Sequence, residues 1–189
     1  MPDPVDHTSS ENAVGRAAEG AADPLWIALR HNAWATREVL CTCACLSDEQ
    51  WQKRFEIGPG SLHDTLTHVV GAMLRWADRI AGPPRTIRSS IEDGSYRTPA
   101  ELMVLLAAAE ADLEAAATHA QARGLLTTSD VALGDANHRF TLGAMLMHVI
   151  THGVHHRAQC LNILRRLAAP GISDRLPEID VLDWELAHD

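Results

Sequence analysis

Residues 141–168 constrain this 189-residue chain more than any other stretch. From Leu142, the run LGAMLMHVITHGVHHRAQCLNILRRL places apolar side chains at helical spacing and four histidines, His148, His152, His155 and His156, within nine residues. At about 100° per residue, with Met145 at zero, Leu142 falls at about +60°, Val149 and Leu167 at about +40° and Ile163 at about 0°. His152 at about −20° and His156 at about +20° lie in the middle of that stripe, while His148 at about −60° and His155 at about −80° lie on its flank. The spacing predicts a long helix with two imidazoles, one turn apart, facing the protein interior.

Buried imidazoles need hydrogen-bond partners, and two protonated rings cannot share an apolar site. A divalent cation answers both needs, because it binds neutral imidazole and an i,i+4 pair can present two nitrogens to one ion. The competing reading is a pair of core histidines satisfied by ordinary hydrogen bonds. No Glu follows His148 or His152, so this is not the HExxH signature of a zinc protease.

The rest of the chain reads as further helices. Leu25, Leu29, Ala33, Val39 and Leu40 predict a first helix over about 24–46. Ser47 to Gln50 forms a capping box that starts a short helix carrying Trp51. Ser61 caps a second long helix over 61–81, ended by Gly82-Pro83-Pro84. Residues 83–97 have no apolar period and read as a long connection. Thr98-Pro99-Ala100-Glu101 starts a third long helix that ends at Gly124. Residues 127–138 are a polar excursion, with a short strand at Val131–Leu133 before a turn at Gly134-Asp135. The fourth long helix stops at Pro170-Gly171, and LPEIDVLDWELAHD holds one or two more turns. Residues 1–22 lack any apolar period and read as a mobile, disordered tail. The expected architecture is all-α, a four-helix bundle over residues 23–189, the layer arrangement that helices with single apolar faces favour.

Composition narrows the function. Sixteen Lys and Arg against 25 Asp and Glu give a net charge of −9, which argues against nucleic acid or anionic membrane as a general partner. No apolar run is long enough to span a membrane, and the N-terminus does not resemble a secretory signal. Four cysteines, Cys41, Cys43, Cys45 and Cys160, are then expected to be reduced thiols in a cytoplasm. CxCxC lacks zinc-knuckle spacing, so its members read as small buried residues, with Cys43 pointing about 200° away from the other two on a helix. Cys160, at about +60°, reads as a core residue, with a fourth thiolate ligand as the alternative.

A metal needs at least one ligand more than His152 and His156. The second long helix offers His63 and His68 within SLHDTLTHVVGAMLRW. With Leu62 at zero, they fall at about +100° and −120°, both off the apolar stripe, so periodicity does not choose between them. Asp64 reads as a charge placed favourably at the helix start.

HVITHGVHHRAQCLNILRRL resembles the fourth-helix motif H-x3-H-R-x-Q of the DinB/YfiT-like superfamily. GSLHDTLTHVVGAMLRW is similar to that family's second-helix motif, a His followed eight residues later by Trp, here His68 and Trp76. The resemblance covers roughly residues 24–168. It implies that His68, His152 and His156 hold one divalent metal; an all-imidazole site suits zinc, nickel, iron or copper, with zinc or nickel expected first and iron as a further option. The motif's Arg and Gln are Arg157 and Gln159; Gln159 falls on the inward stripe beside the ligands, and Arg157 reads as structural or interfacial. The position between them, often Gly, is Ala158.

Three neutral ligands leave coordination positions open, as catalytic rather than purely structural metal sites do. The resemblance further implies thiol chemistry: a transferase or isomerase that uses a low-molecular-weight thiol cosubstrate and acts on a small molecule. His155 could then serve as a proton shuttle at the site mouth, and His148 is a surplus flank residue. The alternative is a non-catalytic, stress-associated interaction module, a homodimer across apolar surface on the first and fourth helices, with the metal structural or missing.

Overall fold

A computed structural model describes residues 23–167 and 176–188. Six helices and one hairpin follow in order: α1 (Pro24–Cys43), α2 (Asp48–Gln52), α3 (Leu62–Ala81), α4 (Pro99–Arg123), β1 (Thr128–Leu133), β2 (Ala136–Thr141), α5 (Leu142–Leu167) and α6 (Val181–Leu186). The tail expected over 1–22 and the stop expected at Pro170-Gly171 lie outside the described residues.

The helix starts follow the sequence signals. Asp23 accepts from the Leu25 amide ahead of α1. Ser47 with Gln50 and Thr98 with Glu101 form complete capping boxes, each satisfying two amides that the first helical turn leaves without partners. Ser61 accepts from the Asp64 amide, and Thr141 from that of Ala144.

The four long helices surround one core. Each of α1 and α3 packs against both α4 and α5. Leu40, Leu66, Met73, Leu106, Leu146 and Ile163 are among the side chains sealed inside, each contributing about 1.5–3 kcal/mol by burial. The C-terminal α6 packs on α1, where His31 Nε2 donates to the Ile179 carbonyl at 2.8 Å.

Three expectations are corrected. The chain is not purely α-helical: β1 pairs antiparallel with β2, Val131 opposite His138 and Leu133 opposite Ala136. A two-residue loop suits such a hairpin, but only Val131 in it is fully buried, so the second strand carries no alternating apolar signal. The first helix stops at Cys43, short of residue 46. Among the cysteines only Cys43 and Cys160 are buried; Cys41 and Cys45 are exposed, the split that the opposed directions of Cys43 and its neighbours imply.

The connection of residues 82–98 has no helix or strand, yet it is pinned along α3. Asp78, 1% exposed, takes ion pairs from Arg85 and Arg88. Arg75 reaches the Ser90 hydroxyl and a Glu92 carboxylate oxygen, and Trp51 Nε1 donates to the Arg97 carbonyl. As a result α3 is covered on both sides, by helices on one and by this strap on the other.

Candidate metal centre

α3 and α5 lie side by side, and their seam carries the histidines. One ring nitrogen from each of His68, His152 and His156 lies within 4.8 Å of the other two. Ring centroids stand 4.9 Å apart for His68 and His152, 4.8 Å for His68 and His156, and 4.4 Å for His152 and His156. His68 and His152 face each other through their Nε2 atoms at 3.0 Å.

The triad sits at the edge of the α5 core face, not at its centre. The buried residues of α5 include Leu146, Ile150, Gly153, Arg157 and Leu164 as well as Leu142, Met145 and Val149. Those additional positions turn the centre of the buried face to about +70° on the wheel, which leaves His152 and His156 half-buried at its border. The border is where α5 meets α3, so an edge position lets rings from two helices converge.

Two of the three rings are held from behind. His68 Nδ1 lies 2.7 Å from Glu92 Oε2. A carboxylate can only accept, so Nδ1 of His68 carries a proton, and a neutral ring then has its lone pair on Nε2. Burial works against the Glu92 charge, but the hydrogen bonds from His68 and Arg75 outweigh it and hold that carboxyl below its ordinary range. On α5, the Gln159 amide oxygen accepts from His156 Nδ1 at 2.8 Å, and its amide nitrogen donates to His155 Nε2 at 2.9 Å. His156 is thereby also left with a lone pair on Nε2.

Electrostatics favour neutral rings. Burial, and then the neighbouring imidazoles of His156, His68, His148 and His155, push His152 down to about 3. Burial also lowers His156, against an opposing contribution from its bond to Gln159. The donor set fits a divalent ion: three imidazoles with a shared point of approach, two of them turned by acceptors on their Nδ1 atoms. Two imidazole nitrogens on one tetrahedral ion stand about 3.3 Å apart, given bonds of about 2.0–2.1 Å, and the pair from His68 and His152 is already close to that.

Other candidates fall elsewhere. His63 is buried away from the triad, its Nδ1 on Asp64 and its Nε2 accepting from the Arg97 amide. Asp64 pairs with Arg54. His155 is exposed and touches the site only through His156 and Gln159. Cys160 is fully buried and is not among the clustered ligand atoms; burial pushes its thiol up to about 12. Ala158 is exposed, so its methyl tightens no packing. Arg157 is structural, 1% exposed and bonded to Asn32 and Thr36.

Sequence reasoning missed three contributors. Glu92 lies in the aperiodic strap, where no period could flag it, and Arg75 joins it from α3. Gly58, at φ +51°, lies where a Cβ would stand 2.1 Å from Gln159 Oε1; the Gly58-Pro59-Gly60 loop was legible, its contact with Gln159 was not.

Helices sharing one core and a half-buried cluster of three imidazoles that can accept a metal ion define a helical protein with a candidate histidine metal centre. Residues 22–178 match the sequence model of the DinB family, and the chain belongs to that family. No curated protein matches the chain.

Proposed function

We propose that this chain is a four-helix-bundle metalloenzyme in which His68, His152 and His156 hold one divalent ion, zinc or nickel, for transferase or isomerase chemistry with a low-molecular-weight thiol. The observation that carries the reading is the convergence of three imidazole nitrogens, two of them oriented by acceptors on their far sides. The bundle reading rests on the packing of α1 and α3 each against α4 and α5.

When bound, such an ion supplies a Lewis-acid centre that lowers the pKa of a thiol or of water. The protein's part is orientation. Glu92 and Gln159 fix the tautomers of His68 and His156. A cleft of about 260 Å³ beside His68 is lined by His63, Asp64, Thr67, Glu92 and Ser95 together with Pro59 and Ile91. Thr67 borders this cleft, its hydroxyl buried without a hydrogen-bond partner among the described residues. In the transfer, the thiol loses its proton, a carbon–sulfur bond forms to the acceptor, and the leaving group departs with the electron pair of the broken bond. His155, exposed and joined to His156 through Gln159, carries the proton to solvent. A homodimer covering Met147 and Val154, half-exposed and two turns apart on α5, belongs to the same reading.

Elemental analysis of untagged protein is the first test. One ion per chain, missing from His152→Ala while the melting curve stays put, supports the assignment. The loaded protein is then screened with small thiols against 1-chloro-2,4-dinitrobenzene, reading chloride release against thiol consumed. No ion near neutral pH, or an ion without any thiol response, favours the non-catalytic interaction module.

A further inference from the structure

The motif residue Trp76 and the surplus flank residue His148 stand outside the triad, and they meet. Trp76 and His148 pack with ring centroids 4.9 Å apart. With Met145, Ala144, Phe140 and Leu133 they line a pocket of about 280 Å³. α3 supplies the indole, α5 the floor, and the hairpin brings Leu133 and Phe140 over it. The Arg79 guanidinium lies over the Trp76 ring at 5.1 Å and holds that wall.

The pocket stops one ring short of the metal centre, since the His148 and His152 rings are 5.5 Å apart. Along α3, Trp76 lies about 12 Å beyond His68, on the side away from the cleft beside His63 and Thr67. The triad therefore lies between two clefts, one carrying the polar side chains of His63, Asp64, Glu92 and Ser95 and the other walled by Trp76, Phe140, Met145 and Leu133. Such a division suits two reactants, each reaching the centre from its own end.

We propose that the Trp76–Phe140 pocket receives the apolar, single-ring part of the small-molecule electrophile, with its reactive end past His148 at the triad. The occupant follows from the walls and the size. Two aromatic side chains favour an aromatic guest. A cavity of about 150 Å³ holds a benzene ring, so the space has room for one substituted ring. Leu133, Ala144 and His148 are exposed at the rim, which gives a guest a way in. The assignment rests on the metal-dependent reading above, deepening it by naming the second reactant's class.

The test uses full-length protein and phenol as probe, with glycerol as polar control. Carbon-labelled Met145 methyl and nitrogen-labelled His148 ring signals are followed by NMR. Phenol is expected to shift both and glycerol neither. Ala144→Trp and Leu133→Trp, two fillings from exposed positions, are expected to weaken phenol binding about tenfold or more, with metal content unchanged. Phenol that leaves both signals unmoved, or binds either filled variant as well as the parent, overturns the proposal. Metal content, read separately, keeps the two ideas distinguishable: phenol binding to a chain that takes up no ion defeats the metalloenzyme reading and leaves the pocket, whereas a loaded chain indifferent to phenol does the reverse.

Discussion

Glu92 accepts from Nδ1 of His68 at 2.7 Å, and that contact decides which nitrogen of His68 faces α5. The strap that carries Glu92 has no regular structure, but Arg75 on α3 grips the other Glu92 oxygen. A helix residue thus fixes a strap residue, which in turn fixes a histidine about two turns back along the same helix. Partners of this kind set ring orientation and raise ligand basicity.

Removing that carboxylate should therefore cost affinity without unfolding the protein. Glu92→Ala is expected to weaken zinc binding about 10- to 100-fold in a chelator competition. Glu92→Gln, whose amide oxygen still accepts, should lose less. Equal affinity in all three proteins would remove Glu92 from the account.

Gly58 governs the other oriented ring. Its φ of +51° is left-handed, and a Cβ there would stand 2.1 Å from Gln159 Oε1. Gly58→Ala is expected to lose about 1–2 kcal/mol of stability from backbone strain and also to displace Gln159 from His156. Gln159→Ala removes the second effect in advance. Metal affinities of the two single variants and the double variant should then fail to add, which a titration of all four proteins reads directly.

The pair on α5 was legible because histidines at i and i+4 within an apolar stripe are costly without a partner. The exact setting was not. Leu146, Ile150 and Leu164 widen the buried face and move its centre, so the wheel placed His152 and His156 too deep. His68 was off the α3 stripe, and periodicity could not raise it above His63; the motif resemblance did. Helix starts were legible because capping is local. The strap was not, because its attachments, Arg88 to Asp78 and Glu92 to His68, join residues distant in sequence with no repeating pattern. The second strand, Ala136–Thr141, hid for a related reason: a hairpin exposed on most sides needs no apolar alternation.

Acid should weaken the metal-free protein through His152. Burial and neighbouring imidazoles hold its folded pKa at about 3, whereas in the unfolded chain it titrates at about 6.5. The unfolded state therefore binds more protons between those values, so stability is full above about pH 6.5 and declines as pH falls towards 3. The urea midpoint of metal-free protein is expected to drop from pH 7 to 5, and the drop to shrink in His152→Leu. A parent and variant with parallel profiles would show that other groups carry the acid response.

The seam between α1 and α5 offers the sharpest packing test. Arg157 is 1% exposed, and its Nη1 donates to the Asn32 carbonyl at 3.1 Å, Asn32 Oδ1 at 2.6 Å and Thr36 Oγ1 at 3.2 Å. Its charge has no carboxylate partner among the described residues, and burial pulls it down to about 10. Gly153 makes room for this contact: a Cβ there would stand 2.0 Å from Asn32 Oδ1 and 2.7 Å from Arg157 Nη1. Gly153→Ala should cost about 1–3 kcal/mol through overpacking. Arg157→Met, which leaves the Asn32 and Thr36 oxygens without their donor, should cost about 1–3 kcal/mol. Both changes strike one contact, so the double variant should lose less than the sum in urea unfolding. Because Arg157 directly follows His156, each variant should also loosen the position of α5 against α1 and lower zinc affinity, an effect a remote core substitution of equal cost would not produce.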